Sequence, residues 1–229
     1  MTITKYNSAI DVEATFENGY STNCYYFDFK RGKVFNPFEK ATYGIGYFGD
    51  GKYIADSRAY IQWTGMLKRC YSEKYLQKYP SYKDCKVCDE WLNYQNFAEW
   101  HENNYYEINN CNMQLDKDIL QKGNKIYSPD TCVYLPEEIN YIVLSRNSKR
   151  GKYPIGVYLH SDKTKFVAQS HDINKKMIYL GRYDTINEAF QVYKKYKEKV
   201  IKQVADKYCD LIPKKAYIAL YNYNVEITD

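Results

Sequence analysis

No apolar run in this chain approaches the ~20 residues that cross a bilayer, and the opening MTITKYNSAIDVE has no signal-peptide core. A cytoplasmic protein with no membrane partner is therefore expected. Paired cysteines are also wanting. The 7 cysteines are an odd number spread over the whole length, which argues against a disulfide framework and for reduced thiols. Only one CxxC is present, Cys85-Lys86-Val87-Cys88. It could supply half of a Zn2+ site, completed by Cys70, Cys111, Cys132 or His101, but a strong zinc signal needs two such pairs. Small buried thiols in a turn are the expectation there, without zinc. Gly44, Gly46, Gly49 and Gly51 in TYGIGYFGDGKY lack the GxGxxG and GKS arrangements, so tight turns are expected rather than a phosphate-cradling loop. Repeats and low-complexity tracts are absent.

What the chain does have is positive charge in one place. The net charge is +5. Arg146 to Gln203 carries 14 Lys/Arg against 5 Asp/Glu, a local +9, which leaves −4 for the rest. A basic stripe of this kind suits a nucleic-acid partner. Tyrosine is abundant, at 28 residues. Exposed tyrosines suit flat recognition surfaces and base stacking, although AT-rich coding gives the same bias and is the simpler reading.

Local patterns place the elements. Residues 1 to about 50 read as short β-like bursts, with a hairpin from Asn23 to Pro37 turning at Lys30-Arg31-Gly32-Lys33. Ser57 caps a helix with Tyr60, Trp63, Met66, Leu67 and Cys70 on its inner face. A second helix spans Asn93 to Asn103, with Leu92, Phe97, Ala98 and Trp100 inward. His101 near its end reads as a surface residue. After Pro213, residues 214–222 form a short helix packing Ala216, Ile218, Ala219, Leu220 and Tyr221 on the body.

The most patterned stretch is Pro154 to Lys199. Gly156 to His160, Lys165 to Gln169 and Lys176 to Gly181 alternate as strands, separated by turns at Ser161-Asp162-Lys163 and Asp172-Ile173-Asn174. Thr185 with Glu188 three residues on is a capping-box helix start. Ile186, Ala189, Phe190, Tyr193 and Tyr196 follow at helical spacing. With Val157, Leu159, Phe166, Ala168, Ile178 and Leu180 facing that helix, the other face carries Tyr158, His160, Lys165, Val167, Gln169, His171, Lys175, Met177 and Tyr179. It is polar, basic and aromatic, and a three-stranded sheet can enter a DNA major groove.

Gly156-Val157, Lys165-Phe166-Val167-Ala168, Tyr179-Leu180-Gly181-Arg182-Tyr183-Asp184-Thr185, Glu188-Ala189 and Tyr193 together resemble the ethylene-response-factor (ERF) type of DNA-binding domain. The resemblance implies major-groove binding of double-stranded DNA through the sheet. The contact residues would be Tyr158, His160, Lys163, Lys165, Gln169, His171, Lys175, Tyr179 and Arg182. The plant members carry several Arg and Trp on that face where this chain has Tyr158, His160, Lys165, Gln169 and Tyr179, so the base sequence read does not carry over.

A second stretch, MQLDKDILQKGNKIYSPDTCVYLP from Met113 to Pro136, is dense in turn-forming and metal-capable groups. In order and spacing it resembles the HNH (His-Me finger) nuclease motif, which phage endonucleases join to an ERF-type domain. The resemblance implies a site of Asp116, Lys117, Asp118 and Asn124, with Mg2+ on Asp116 and Asp118. Lys117 stands where the general-base His belongs, and Thr131 where a later Asn does. A solvated lysine is protonated at neutral pH and cannot deprotonate water.

The basic run Ser145 to Lys152 reads as a linker, with Arg146, Lys149, Arg150 and Lys152 set for phosphates. The expected organisation is α+β: a β subdomain at 1–50, a degenerate HNH-like module at 51–144, the linker at 145–152 and an ERF-type domain at 153–229. The resemblance implies a phage or mobile-element DNA-binding protein in the cytoplasm of an infected bacterium. Two alternatives are an active homing or nicking endonuclease, and an accessory protein that binds a host defence or replication protein through the acidic, aromatic N-terminal part.

Overall fold

The computed structural model describes residues 1–143 and 151–229. The chain is α+β and divides into two compact units. The first is Met1–Tyr105 with Lys125–Asp130; the second is Tyr106–Asn124 with Thr131–Asp229. No helix among the described residues is long and apolar enough to cross a membrane.

The first unit opens with an antiparallel sheet of β1 (Thr2–Ser8), β2 (Asp11–Thr15) and β3 (Ser21–Cys24). Alternation in β2 buries Val12 and Ala14. The hairpin expected from Asn23 to Pro37 does not form. Tyr26–Lys30 is instead a short helix, α1. Gly32, at a φ of 63°, closes it by donating to Phe29 O at 3.0 Å. A glycine after a basic residue suits a helix end as well as a hairpin turn, and the short helix took it.

The core of this unit lies between α2 (Arg58–Tyr71) and α4 (Tyr94–Asn104). Ser57 caps α2, accepting from Tyr60 N at 3.1 Å. Asn93 caps α4, accepting from Gln95 N at 3.0 Å. Trp63, Met66, Leu67 and Cys70 are buried on α2, and Tyr94, Phe97 and Ala98 on α4. Trp63 Nε1 donates to Trp91 O at 2.7 Å. The glycine-rich loop runs along the start of α4, where Tyr47 N donates to Leu92 O and the Gln95 side chain bonds Tyr53 N and O. After α2 come α3 (Glu73–Lys78) and β4 (Lys86–Val87), which pairs in parallel with β6 (Ile126–Tyr127).

The second unit holds an antiparallel pair, β5 (Met113–Asp116) and β7 (Val133–Pro136), followed directly by α5 (Glu137–Val143). Next comes the antiparallel sheet of β8 (Val157–Leu159), β9 (Phe166–His171) and β10 (Met177–Tyr183), with β9 central. Helices α6 (Ile186–Lys207) and α7 (Lys214–Tyr221) complete it. The capping box at the start of α6 is present in both directions: Glu188 N to Thr185 Oγ1 at 3.2 Å, and Thr185 N to Glu188 Oε2 at 3.0 Å.

One core runs through this unit. Ile119, Val133, Leu135, Ile139 and Ile142 share it with Val157, Ala168, Ala189, Phe190, Tyr193, Val200, Ile201 and Val204. The compact units therefore divide the chain elsewhere than at 50/51 and 144/145. The β5–β7–α5 segment and the three-stranded sheet bury their apolar faces in one cluster, which a linker between independent domains would not require. Gly156 makes the fit against α6 possible. It has a φ of 73°, and a Cβ there would lie 2.0 Å from the Tyr193 ring, so no other residue allows this approach. On α7 the buried residues are Ala216 and Leu220, whereas Ile218 and Tyr221, expected inward, are exposed.

Candidate functional site

The sheet face away from α6 is set by register. Tyr158 and Arg182 both pair with Val167, so the three form one cross-strand row; Gln169 pairs with Tyr179, and His171 with Met177. Tyr158, Met177 and Tyr179 are exposed, Tyr179 the most at 60 %. Gln169, Lys165 and His160 are half-buried, and His171 and Arg182 are exposed. Val167, in the central strand, is fully buried and forms the floor of the row. Tyr158, Val167, Gln169, His171, Met177, Tyr179 and Arg182 thus share this face, whereas Lys175, expected on it, lies in the turn between β9 and β10.

Two carboxylates that the sequence reading passed over also belong to it. Lys165 Nζ lies 2.6 Å from Asp184 Oδ1. His160 Nδ1 lies 2.9 Å from Asp162 Oδ2, with Arg182 Nη1 3.6 Å from the same oxygen. Bonds from Thr164 N and Oγ1, with His160 beside it, hold the Asp162 carboxyl down at about 2. The signal for Asp162 was its Asp-Lys-Thr turn, in which an Asp side chain accepts from the backbone two residues on. These pairs are on the surface, where an ion pair is worth about 0–1 kcal/mol, so exchanging the carboxylates for phosphates costs little.

The tips of the two hairpins share an unusual feature. Lys163 has a φ of 57° and Lys175 a φ of 62°, the left-handed region where a Cβ costs roughly 1 kcal/mol. Asp162 Oδ1 accepts from Thr164 N at 3.0 Å, and Asp172 Oδ1 from Asn174 N at 2.9 Å and Lys176 N at 2.8 Å. Both turns are held closed this way. Both lysines are exposed, and Lys175 Nζ lies 5.4 Å over the Tyr141 ring. Lys152 is exposed too, while Arg146, Lys149 and Arg150 lie outside the described residues.

The second expected cluster sits where β5 ends. Asp116 Oδ1 accepts from Asp118 N at 2.8 Å and Ile119 N at 2.7 Å. Burial nevertheless pushes the Asp116 carboxyl above the usual carboxylate range. Lys117 is buried. Its ammonium donates to Asn124 O at 3.0 Å and to Asp118 Oδ1, while Asn124 Nδ2 donates back to Lys117 O at 2.8 Å. The reciprocal Lys117–Asn124 bonds close the loop. Asp116, Lys117, Asp118 and Asn124 are therefore together, but Lys117 is a buried ammonium engaged as a donor rather than a solvated side chain.

Asn140 on α5 went unremarked in the sequence. Its Nδ2 donates to Gln114 Oε1 at 3.0 Å, and its buried Oδ1 has no partner. Gln114 and Asp116 lie on one face of β5, since they are two residues apart. A polar residue at an inward position between Ile139 and Ile142 was the signal. A desolvated carboxyl and an orphaned amide oxygen are hard oxygen donors that suit Mg2+; Asp118, also expected there, is exposed and has its Oδ1 bonded by Lys117. Among the described residues no group of three or more His, Cys, Asp or Glu gathers as a metal set.

Cys85 of the CxxC is buried and Cys88 half-buried, neither in a disulfide, and burial pushes the Cys88 thiol up. His101, expected on the surface, is half-buried. Its ring stacks on Tyr105 at 4.8 Å and on Phe97 at 6.3 Å. Burial and the Arg58 charge lower it to about 4.

No protein-family model matches this chain, and no curated protein and no solved structure is significantly similar to it.

Two outcomes follow. Lys163→Gly and Lys175→Gly should each leave stability unchanged or raise it by up to about 1 kcal/mol, measured by urea unfolding; a loss of stability would show that the side chains hold the fold. His101 should remain neutral down to about pH 4 in an NMR titration. Because its folded value is depressed, its contribution is present above the unfolded value near 6.5 and is lost as pH falls towards 4. His101→Phe should flatten the stability profile across that window.

Proposed function

We propose that this chain binds double-stranded DNA, laying the outward face of β8–β9–β10 in the major groove. One observation carries the reading: exposed aromatic rings at Tyr158 and Tyr179, polar Gln169 and His171, and the Arg182 guanidinium share the sheet face opposite α6. Ring and amide groups suit base edges, and the cations suit phosphates. Lys163 and Lys175 at the two turn tips flank the face and reach the backbone on either side. Lys165 and Arg182 exchange Asp184 and Asp162 for phosphate oxygens on binding.

In the same reading the β5–β7–α5 segment is a scaffold with the strand–strand–helix order of the HNH module its sequence resembles. Asp116 and Asn140 are the residues that would hold a divalent cation, which when bound supplies charge stabilisation to a phosphate oxygen. Lys117 Nζ, engaged with Asn124 O and Asp118, is tied into the loop rather than left to a water molecule. Asn124 fixes Lys117 rather than orienting a nucleophile. The segment therefore positions DNA without a general base.

Fluorescence anisotropy with a pool of random duplexes tests the reading. About six neutralised phosphates predict a slope near about −5 for log affinity against log salt. Tyr179→Ala and Arg182→Ala should each weaken binding, and supercoiled plasmid should stay intact with Mg2+ or Mn2+. A flat salt response without duplex binding at low ionic strength would remove the DNA reading. Cleavage lost in Asp116→Ala would remove the scaffold assignment.

A further inference from the structure

A second cationic surface lies in the first unit, apart from anything the sheet explains. Lys68 to Val87 holds 6 Lys/Arg against 2 Asp/Glu, although that part of the chain is otherwise acidic. Near the start of this stretch is Arg69, in the last turn of α2 and half-buried. The guanidinium stands 5.5 Å over the Tyr127 ring, and Nε donates to Tyr127 Oη at 3.1 Å. Among the described residues it makes no ion pair, and the groups near it are the phenols of Tyr127, Tyr82 and Tyr75.

The end of α2 and the Tyr127 ring explain how a cation is tolerated here. They leave unused most of the guanidinium fork, whose five donors suit phosphate oxygens. From Arg69 the tyrosines lead outward. Tyr75 meets Tyr82 at 5.8 Å and Tyr79 at 4.6 Å, and Tyr79 is 41 % exposed with Lys78 Nζ 5.3 Å over its ring. Lys125 Nζ, on Ser81 O at 3.1 Å, adds an exposed cation beside this surface.

We propose that this surface is a second nucleic-acid site, specific for a single strand. A phosphodiester sits on the Arg69 fork with Lys125 and Lys78 along the backbone, and an unpaired base stacks on Tyr79. Paired bases present no open face to such a ring, so the site selects single strands over duplex. The proposal is independent of the sheet reading, because it uses other residues and another form of nucleic acid.

The test is anisotropy of the full chain with fluorescein-labelled oligothymidylate and, in parallel, with random duplex. Tyr79→Ser and Lys78→Glu, both exposed, should each weaken oligothymidylate binding by about tenfold and leave duplex binding unchanged. Arg69→Gln should do the same, with thermal melting to check that it folds; the exposed pair decides if it does not. The sheet variant Tyr179→Ala with Arg182→Ala should keep oligothymidylate binding, whatever it does to duplex. Unaltered oligothymidylate affinity in Tyr79→Ser and Lys78→Glu overturns the proposal. So does displacement by polyglutamate as readily as by unlabelled oligothymidylate, which would mark a site for acidic peptide.

Discussion

The apolar stripe of α6 is the surface on which the second unit depends. Ala189, Phe190, Tyr193, Val200, Ile201, Val204 and Ala205 are buried along it. Each large side chain so buried contributes roughly 1.5–3 kcal/mol, far more than any surface pair nearby. That energy fixes which face of β8–β9–β10 turns inward, because slipping the register by one residue would expose Val157 and Ala168 and bury Tyr158 and Gln169. The outward face is then free to be chosen for something other than stability. Its composition is the basis of the DNA reading.

The same residue types meet opposite fates according to depth. Lys165 and Arg182 pair with Asp184 and Asp162 at the surface, where the pairing is weak and exchangeable. Lys117 is itself buried, with its Nζ on the exposed Asp118 and on Asn124 O, and the Asn124 side chain donates back to Lys117 O. The first pair of cations is available to a ligand and the last is locked into a loop. Asp116 and Asn140 lie between these extremes: the Asp116 carboxyl is desolvated but accepts two backbone bonds, and the buried Asn140 Oδ1 has no partner.

Much of this was legible in the sequence, and the reason is locality. The parity of the three strands, the capping box at Thr185 and Glu188, and the inner face of α2 each follow from patterns within a few residues. The misreadings came where distant residues decide. Lys30-Arg31-Gly32 suits a helix end and a hairpin turn alike, and nothing nearby separates them. Lys117 reads as a solvated lysine until Asn124, seven residues on, folds back over it. The division at 144/145 looked natural from the basic run, yet Leu135, Ile139 and Ile142 complete the core under the three-stranded sheet. Arg69 carries no local signal of its surroundings, since its tyrosine shell is assembled from α3, the following turn and β6.

That shared core is most directly tested by native-state hydrogen exchange in increasing urea. A single core on α6 predicts that amides of β5, β7 and α5 lose protection in the same opening as those of β8, β9, β10 and α6. If β5, β7 and α5 exchange through a separate opening of lower energy while the three-stranded sheet and α6 stay protected, the core is not shared and the account fails.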